Sequence, residues 1–388
     1  MIIDRLTKED KDYTIALRRE FHRYPELSFC EVKTSEIIRR ELESMGIPHK
    51  TIGGTGVVAT IKGKLEGKTI ALRADMDALP ISEGNEVDYK SENKGYMHAC
   101  GHDAHMAMLL GAAKIINRMK DSIKGDIRLI FQPAEEVGGG ARKLIEEGVL
   151  ENVDGIFGIH VWSDIESGYV SVEEGPRMAA SGRFVIKVKG KGGHGSAPNQ
   201  GIDAILICSA IVMNLQSVIS RELDPSHCTV LGVGSIKSGN AFNIIASEGI
   251  MEGTTRCFDD EISKEFPKII ERIVKNTAKV YRGEAELEYS DNTPVLRNHK
   301  ECSKIAERSL EKIGAKNIKF EKIKASEDFA EYSNRVPGVF AFLGVRNEEK
   351  GAYYAQHHHK YNIDEDALEL GTKLFIQYAF DFLEEYRG

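Results

Sequence analysis

Between residues 69 and 160, short β-rich runs alternate with helical patterns, and each run stops at acids or histidines. Thr69-Ile70-Ala71-Leu72-Arg73 leads into Ala74-Asp75-Met76-Asp77-Ala78-Leu79-Pro80. Ile127-Arg128-Leu129-Ile130-Phe131 leads into Gln132-Pro133-Ala134-Glu135-Glu136, and Gly155-Ile156-Phe157-Gly158-Ile159 ends on His160. A strand-helix-strand-helix-strand order predicts a largely parallel sheet with covering helices. Open sheets of this kind collect their ligands at the C-terminal strand ends. The densest polar cluster, His98-Ala99-Cys100-Gly101-His102-Asp103-Ala104-His105, falls between the first two runs and feeds an apolar segment of good helix formers. Cys100 and His102 are two apart, so they share no helix face, but on an extended or turn backbone they point the same way. The cluster reads either as a metal-binding turn or as a buried thiol among satisfied histidines. The rest of the chain has to supply further ligands for the first reading.

The flanking chain extends this frame. Residues 9–45 predict two helices broken at Tyr24-Pro25-Glu26, and Val57–Ile61 predicts a strand joined to the run at 69–73 by a Gly-containing turn. Gly67-Lys68-Thr69 is not a P-loop, because it leads into a strand and its spacing to Gly63 is short. Near Met178 the character changes. Strand patterns at 182–189, 228–236, 249–258 and 285–289 and helical patterns at 202–219 and 263–282 follow the order β-α-β-β-α-β, the ferredoxin-like split arrangement. After Pro294 come a helix, a buried strand at 338–344 and a terminal helix from Asp364. The expected architecture is therefore an α/β domain of residues 1–178 and 293–388, interrupted by an α+β domain of residues 179–292.

Several function classes fall away on charge and composition. A formal charge of −8 over 388 residues argues against nucleic acid as the main partner. No apolar run approaches the roughly 18 residues of a membrane span, and the N-terminus has no apolar h-region, so no signal peptide is expected. Six scattered cysteines without a CxxC pair suit reduced thiols and a cytoplasmic protein. His299-Lys300-Glu301 mimics a nucleobase-deaminase element, but no Pro-Cys-x-x-Cys partner exists.

Candidate ligands stand in four places: Cys100 with His102, Glu135-Glu136, His160, and the run His357-His358-His359. One thiol, several imidazoles and carboxylates form a borderline donor set that suits zinc, and manganese, cobalt or nickel also fit. On an extended backbone Glu135 and Glu136 point to opposite sides, so one can bind metal while the other acts as a base. The alternative is a solvated acid pair in a loop. His160 is either a ligand or a hydrogen-bonded core residue. His194, in Gly192-Gly193-His194-Gly195-Ser196, is either a turn residue or a substrate contact.

These motifs in this order, Arg73–Pro80, His98–His105, Gln132–Glu136, Gly158–Trp162 and Gly192–Gly195, resemble the M20 metallopeptidase family, and more closely its amidohydrolase branch. That resemblance implies a catalytic domain interrupted by a lid domain through which the chain dimerises. It implies two divalent ions per subunit, held by Cys100, His102, Glu136, His160 and His357, with His358 as the alternative. Glu135 would be the general base and Asp77 the acid supporting the site. His194 would stabilise the oxyanion, and Asn243 and Arg256 would hold the substrate. Cys100 stands where the wider family places a bridging carboxylate. The implied reaction is hydrolysis of an N-acyl amino acid by a metal-bound hydroxide, giving a carboxylic acid and a free amino acid. A dipeptidase or carboxypeptidase of the same fold is the alternative enzyme. A metal-dependent binding protein without chemistry is the alternative class, and it has no need of a second glutamate at 135.

Overall fold

The structure is a computed structural model that describes residues 2–387. The chain runs α1 (Ile2–Glu9), α2 (Lys11–Arg23), α3 (Val32–Ser44), β1 (His49–Ile52), β2 (Gly56–Lys62), β3 (Leu65–Asp75), α4 (His102–Met119), β4 (Lys124–Gln132), α5 (Gly140–Glu146), β5 (Gly155–Glu166), β6 (Tyr169–Ser171) and β7 (Gly175–Met178). It continues with β8 (Ala180–Lys189), β9 (Gly193–His194), α6 (Ala204–Ser217), β10 (Thr229–Ser238), β11 (Ile244–Ile245), β12 (Glu248–Cys257), α7 (Asp260–Val280) and β13 (Glu284–Thr293). The last elements are β14 (Leu296–Asn298), α8 (Lys300–Ile313), β15 (Lys316–Asn317), α9 (Ala330–Ser333), β16 (Gly338–Arg346) and α10 (Ala367–Glu385). Two compact units result. One reaches Gly175 and takes in Arg297–Glu321 and the chain from Asp328 on, and the other comprises Pro176–Leu296 with Lys322–Glu327. The segment 322–327 joins the second unit because Ala179 donates its N–H to the carbonyls of Ile323 and Ala325.

The first unit is built on an eight-stranded sheet in the order β1-β2-β4-β3-β5-β16-β6-β15. Strands β4, β3, β5 and β16 run parallel, whereas β2 lies antiparallel to β4. β2 and β3 are joined by a short turn, but β4 lies between them in the sheet. A tight turn can join strands without pairing them when a third strand offers a longer apolar edge. The parallel strands are buried on both faces, as their uninterrupted Val/Ile/Leu/Phe runs require. Helix α4 is buried from His102 to Ala113. Gly111 lets α2 and α10 close on it, since a Cβ there would meet the Thr14 hydroxyl at 2.7 Å. Each fully buried Leu, Ile or Phe in this core contributes about 1.5–3 kcal/mol.

The second unit is a four-stranded antiparallel sheet in the order β10-β12-β8-β13, with its own apolar core against α6 and α7. After a buried start at Ala180–Gly182, β8 alternates, with Phe184, Ile186 and Val188 buried and Arg183, Lys187 and Lys189 exposed. The stretch Ala204–Glu222 is long and apolar enough to cross a membrane by length and composition, with mean hydropathy 1.6. It differs from the expectation that no apolar run approaches that length. Its Ala204, Ile207, Cys208, Ile211 and Leu215 pack into the core of this unit, as expected of a helix covering a sheet.

Candidate metal centre

The C-terminal ends of β3 and β4, the middle of β5 and the N-terminus of α4 bring most of the candidate residues together; β5 does not end on His160, as its sequence suggests, but runs on to Glu166. Gly101, between Cys100 and His102, has φ of +90° and caps α4. A Cβ there would sit 2.3 Å from a Val161 methyl and 2.8 Å from the Tyr361 hydroxyl, so backbone and space both demand glycine. The turn aims Cys100 and His102 at His160. Ligand atoms of Cys100, His102 and His160 lie within 4.8 Å of one another, as do those of Cys100, Glu136 and His357 and those of His102, Glu135 and Glu136. The Cys100 thiol thus belongs to two donor groups at once.

Backbone carbonyls fix which imidazole nitrogen faces the cluster. His102 Nδ1 donates to the Asp77 carbonyl at 2.9 Å, leaving Nε2 buried with no protein partner. His160 Nδ1 donates to the Val161 carbonyl at 2.7 Å, and its Nε2 lies 3.6 Å from Cys100 Sγ. Such outer partners set which nitrogen is available. His105, third histidine of the cluster, is saturated: Nδ1 donates to Asp75 at 2.6 Å, and Nε2 accepts the Val161 N–H at 2.9 Å. It braces the site instead of opening onto it. His98 is buried and lies outside these donor groups, and burial pushes it down to about 3.

The electrostatics favour a cation at His102. Burial alone would depress this imidazole, yet Asp75, Asp77 and Glu136 raise it to about 10. Its surroundings therefore stabilise a positive charge, which a divalent ion can supply in place of a proton. His160 goes the other way, driven well down by burial and by His105, and neutral imidazole is the form that ligates. The buried Glu136 Oε1 also lacks a hydrogen-bond partner. Orphaned buried acceptors of this kind cost roughly 1–3 kcal/mol each unless something fills the gap, and the donor set suits divalent ions.

Glu135 and Glu136 do not continue an extended strand as the sequence suggested. They open a turn after Ala134, which has φ of +56°, closed by Gly138 N–H to the Glu135 carbonyl at 2.8 Å. Asp77 holds this turn: its two carboxylate oxygens accept the N–H groups of Glu135 and Glu136 at 3.0 and 3.1 Å. Ser28 adds its hydroxyl to Asp77 at 2.6 Å. Asp77 therefore positions its neighbours through their backbone. Of the three terminal histidines, His357 lies 3.6 Å from Glu136 through Nε2. It has φ of +66° and its N–H is held by the Ala99 carbonyl at 2.8 Å. His358 stacks instead on Tyr354 at 4.5 Å.

His194, Asn243 and Arg256 belong to the second unit. His194 and Ile244 pair across the β9–β11 ribbon, and the Asn243 carbonyl accepts the Gly195 N–H at 2.8 Å. The His194 ring is exposed and accepts the Ser196 hydroxyl at 2.8 Å. Arg256 donates to the Thr255 carbonyl at 2.8 Å.

Sequence reasoning missed the floor of the site. Arg73, 1 % exposed, joins Asp75 at 2.6 Å, Asp328 at 2.9 Å and Gln132 at 2.9 Å. Burial pushes Asp328 up to about 6 in spite of Arg73. The signal available was a lone arginine inside an apolar strand run, which has to be paired; its partner at 328 is too far along the chain to be read.

Residues 71–381 match the protein family described as Peptidase family M20/M25/M40. The chain is 42% identical over 380 residues to thermostable carboxypeptidase 2 of Saccharolobus solfataricus, covering 97% of this chain and 96% of that protein. It is 38% identical over 375 residues to N-acetylcysteine deacetylase of Bacillus subtilis, covering 95% and 97%. The crystal structure of the Bacillus subtilis YXEP protein, a dinuclear metal binding peptidase from the M20 family, is 36% identical, with a TM-score of 0.87 and coverage of 97% and 99%. Motif order, site geometry and full-length similarity agree: the chain is a hydrolase of the M20 peptidase family.

Proposed function

We propose that this hydrolase cleaves the amide bond of N-acyl amino acids, with two divalent cations in a site shared by Cys100. Cys100, His102 and His160 would hold one ion and Cys100, Glu136 and His357 the other, and zinc would fit these donors best, with manganese, nickel and cobalt as alternatives. When bound, the ions supply Lewis acidity to the water and the amide carbonyl. Glu135 takes the proton of the attacking water and passes it to the leaving nitrogen as the C–N bond breaks. Asp77 keeps Glu135 and Glu136 in register by holding both backbone N–H groups. His194 stabilises the developing oxyanion, and Asn243 and Arg256 take the amino acid's carboxylate. The second unit acts as a lid and carries a homodimer contact; the outward Ile205, Leu206 and Met213 of α6, each 45–71% exposed, support that part. The protein works in the cytoplasm, a reading supported by six cysteines with no disulfide among the described residues.

The observation that carries the reading is the shared thiol flanked by two glutamates on one anchored turn. A binding-only site needs Glu136 but has no use for Glu135. The deacetylase relative supports the acyl substrate, and the carboxypeptidase relative favours the second reading, cleavage of a peptide bond. Metal-stripped protein reloaded separately with zinc, manganese, nickel or cobalt is assayed on N-acetyl, N-benzoyl and N-succinyl amino acids and on dipeptides. Faster turnover of acyl amino acids is expected. Preference for dipeptides would hand the assignment to the peptidase reading.

A further inference from the structure

Outside the metal-binding set lies a carboxylate that ties together two strained residues. Glu31 is 0% exposed. Its Oε1 accepts the N–H of Phe29 at 3.0 Å and the N–H of Ala134 at 2.9 Å, and Oε2 accepts the Thr55 hydroxyl at 2.6 Å. Phe29 and Ala134 both have positive φ, 62° and 56°. Non-glycine residues in this region cost on the order of 1–3 kcal/mol each and persist only where surrounding contacts overdetermine them, typically at functional sites. One oxygen of Glu31 restrains both.

Ala134 immediately precedes Glu135. Phe29 immediately follows Ser28, whose hydroxyl is bonded to Asp77, the residue that holds the Glu135 and Glu136 N–H groups. The Phe29 backbone is thus locked to the Glu135 turn on two sides, through Glu31 and through Asp77. All this anchoring serves a side chain that does not enter the core. The Phe29 ring is 44% exposed and lies over Gly139, where a Cβ would come within 3.5 Å of it. Val137, on the same turn, is 63% exposed. A strained aromatic, part exposed with Lys143 Nζ 5.2 Å from its ring and doubly anchored through its backbone to the turn that bears Glu135, is more than folding alone requires.

We propose that Phe29, fixed by Glu31 as a positioning residue, is the apolar wall that receives the acyl side of the scissile amide and sets how large an acyl group is accepted. The inference rests on the function proposed above, in which Asn243 and Arg256 take the amino acid's carboxylate and the acyl group is left to this rim. Phe29→Ala is compared with the wild type on N-acetyl-, N-hexanoyl- and N-benzoyl-methionine. The ratio of kcat/KM for benzoyl over acetyl substrate should fall about 10–100-fold, chiefly through KM, because a lost apolar contact is worth a factor of this order. Glu31→Gln retains an amide oxygen able to accept both N–H groups and should keep the selectivity; Glu31→Ala should lose it together with kcat. If the wild type prefers dipeptides, Gly-Met and Phe-Met serve as the short and long acyl probes. An active wild type whose Phe29→Ala variant loses equally on short and long acyl groups, or loses nothing, overturns this inference alone. A wild type inactive on both substrate classes overturns the function and this inference together.

Discussion

Two clusters of ionisable groups lie on either side of the first turn of α4, and consecutive residues belong to different ones. Asp103 enters a closed cluster: Arg18 Nε at 2.9 Å and His22 at 2.7 Å, with His22 reaching Glu83 at 3.1 Å. His102 enters the open one, with Nε2 and its neighbour Glu136 Oε1 lacking hydrogen-bond partners. Both clusters are buried. In the closed cluster burial opposes every charge, yet Arg18 and His22 hold Asp103 well below the usual carboxylate range and Asp103 and Glu83 raise His22. Arg18 Nε makes an ion pair with Asp103 but no hydrogen bond, so this cluster is closed by the balance of its charges. In the open cluster Asp75, Asp77 and Glu136 raise His102, so positive charge is held where His102 Nε2 and Glu136 Oε1 have no hydrogen bond. Burial alone therefore does not separate the two clusters; what differs is that the charges of one meet in direct ion pairs at 2.7–3.1 Å, while His102 Nε2 lies 3.8 Å or more from its carboxylates.

The largest expected effect tests the open cluster. Glu135→Gln should lower turnover by about 10²–10⁴-fold while metal content, measured by atomic absorption, stays as in the wild type; retained activity would remove Glu135 as the base. Arg18→Met tests the closed cluster. It strands Asp103 without its guanidinium and should cost about 3–5 kcal/mol in urea unfolding, with no direct loss of a metal ligand. An unaltered unfolding midpoint would mean that this network is not closed in the sense described.

A pH series sharpens the contrast. The depressed carboxyl of Asp103 contributes stability that is complete above its unfolded value of about 4 and is lost as pH falls toward its folded value, because the unfolded chain then binds the extra proton. Between pH 4 and 2 the wild type should lose up to about 1.4 kcal/mol per pH unit from this group, and Asp103→Asn should lose that much less. Identical slopes would contradict the pairing. Next in size, Asp77→Asn should weaken metal affinity by about 10–100-fold, since it loosens the turn that carries Glu136. The smallest contrast separates the histidines: His357→Ala should lower metal stoichiometry in titration calorimetry, and His358→Ala, which removes a ring stacked on Tyr354, should leave it intact. The reverse result would exchange their roles.

Many of the candidate donors were legible because abrupt changes from Val/Ile/Leu/Phe to acids and histidines mark them, although His160 proves to lie within β5 and His102 to open α4. Cys100, His102, Glu136 and His160 could be singled out on that basis. Roles within the cluster were harder. His98, His102 and His105 look alike in a string of letters; Asp75 and the Val161 N–H occupy both nitrogens of His105, and the Asp77 carbonyl leaves one nitrogen of His102 open. Glu135 and Glu136 were expected on an extended backbone, because a strand precedes them, and the positive φ of Ala134 had no local signal. It depends on Glu31, more than a hundred residues away in sequence.

Local pattern by itself determined the parallel α/β frame, the β-α-β-β-α-β segment and the list of candidate donors, because hydrophobic periodicity and turn residues act over a few neighbours. Only the tertiary structure decided the insertion of β4 between β2 and β3, the pairing of Arg73 with Asp328, and which buried charges meet in direct ion pairs. Those outcomes depend on which distant groups complete each hydrogen bond, and in a buried site an unpaired charge is too costly to leave unassigned.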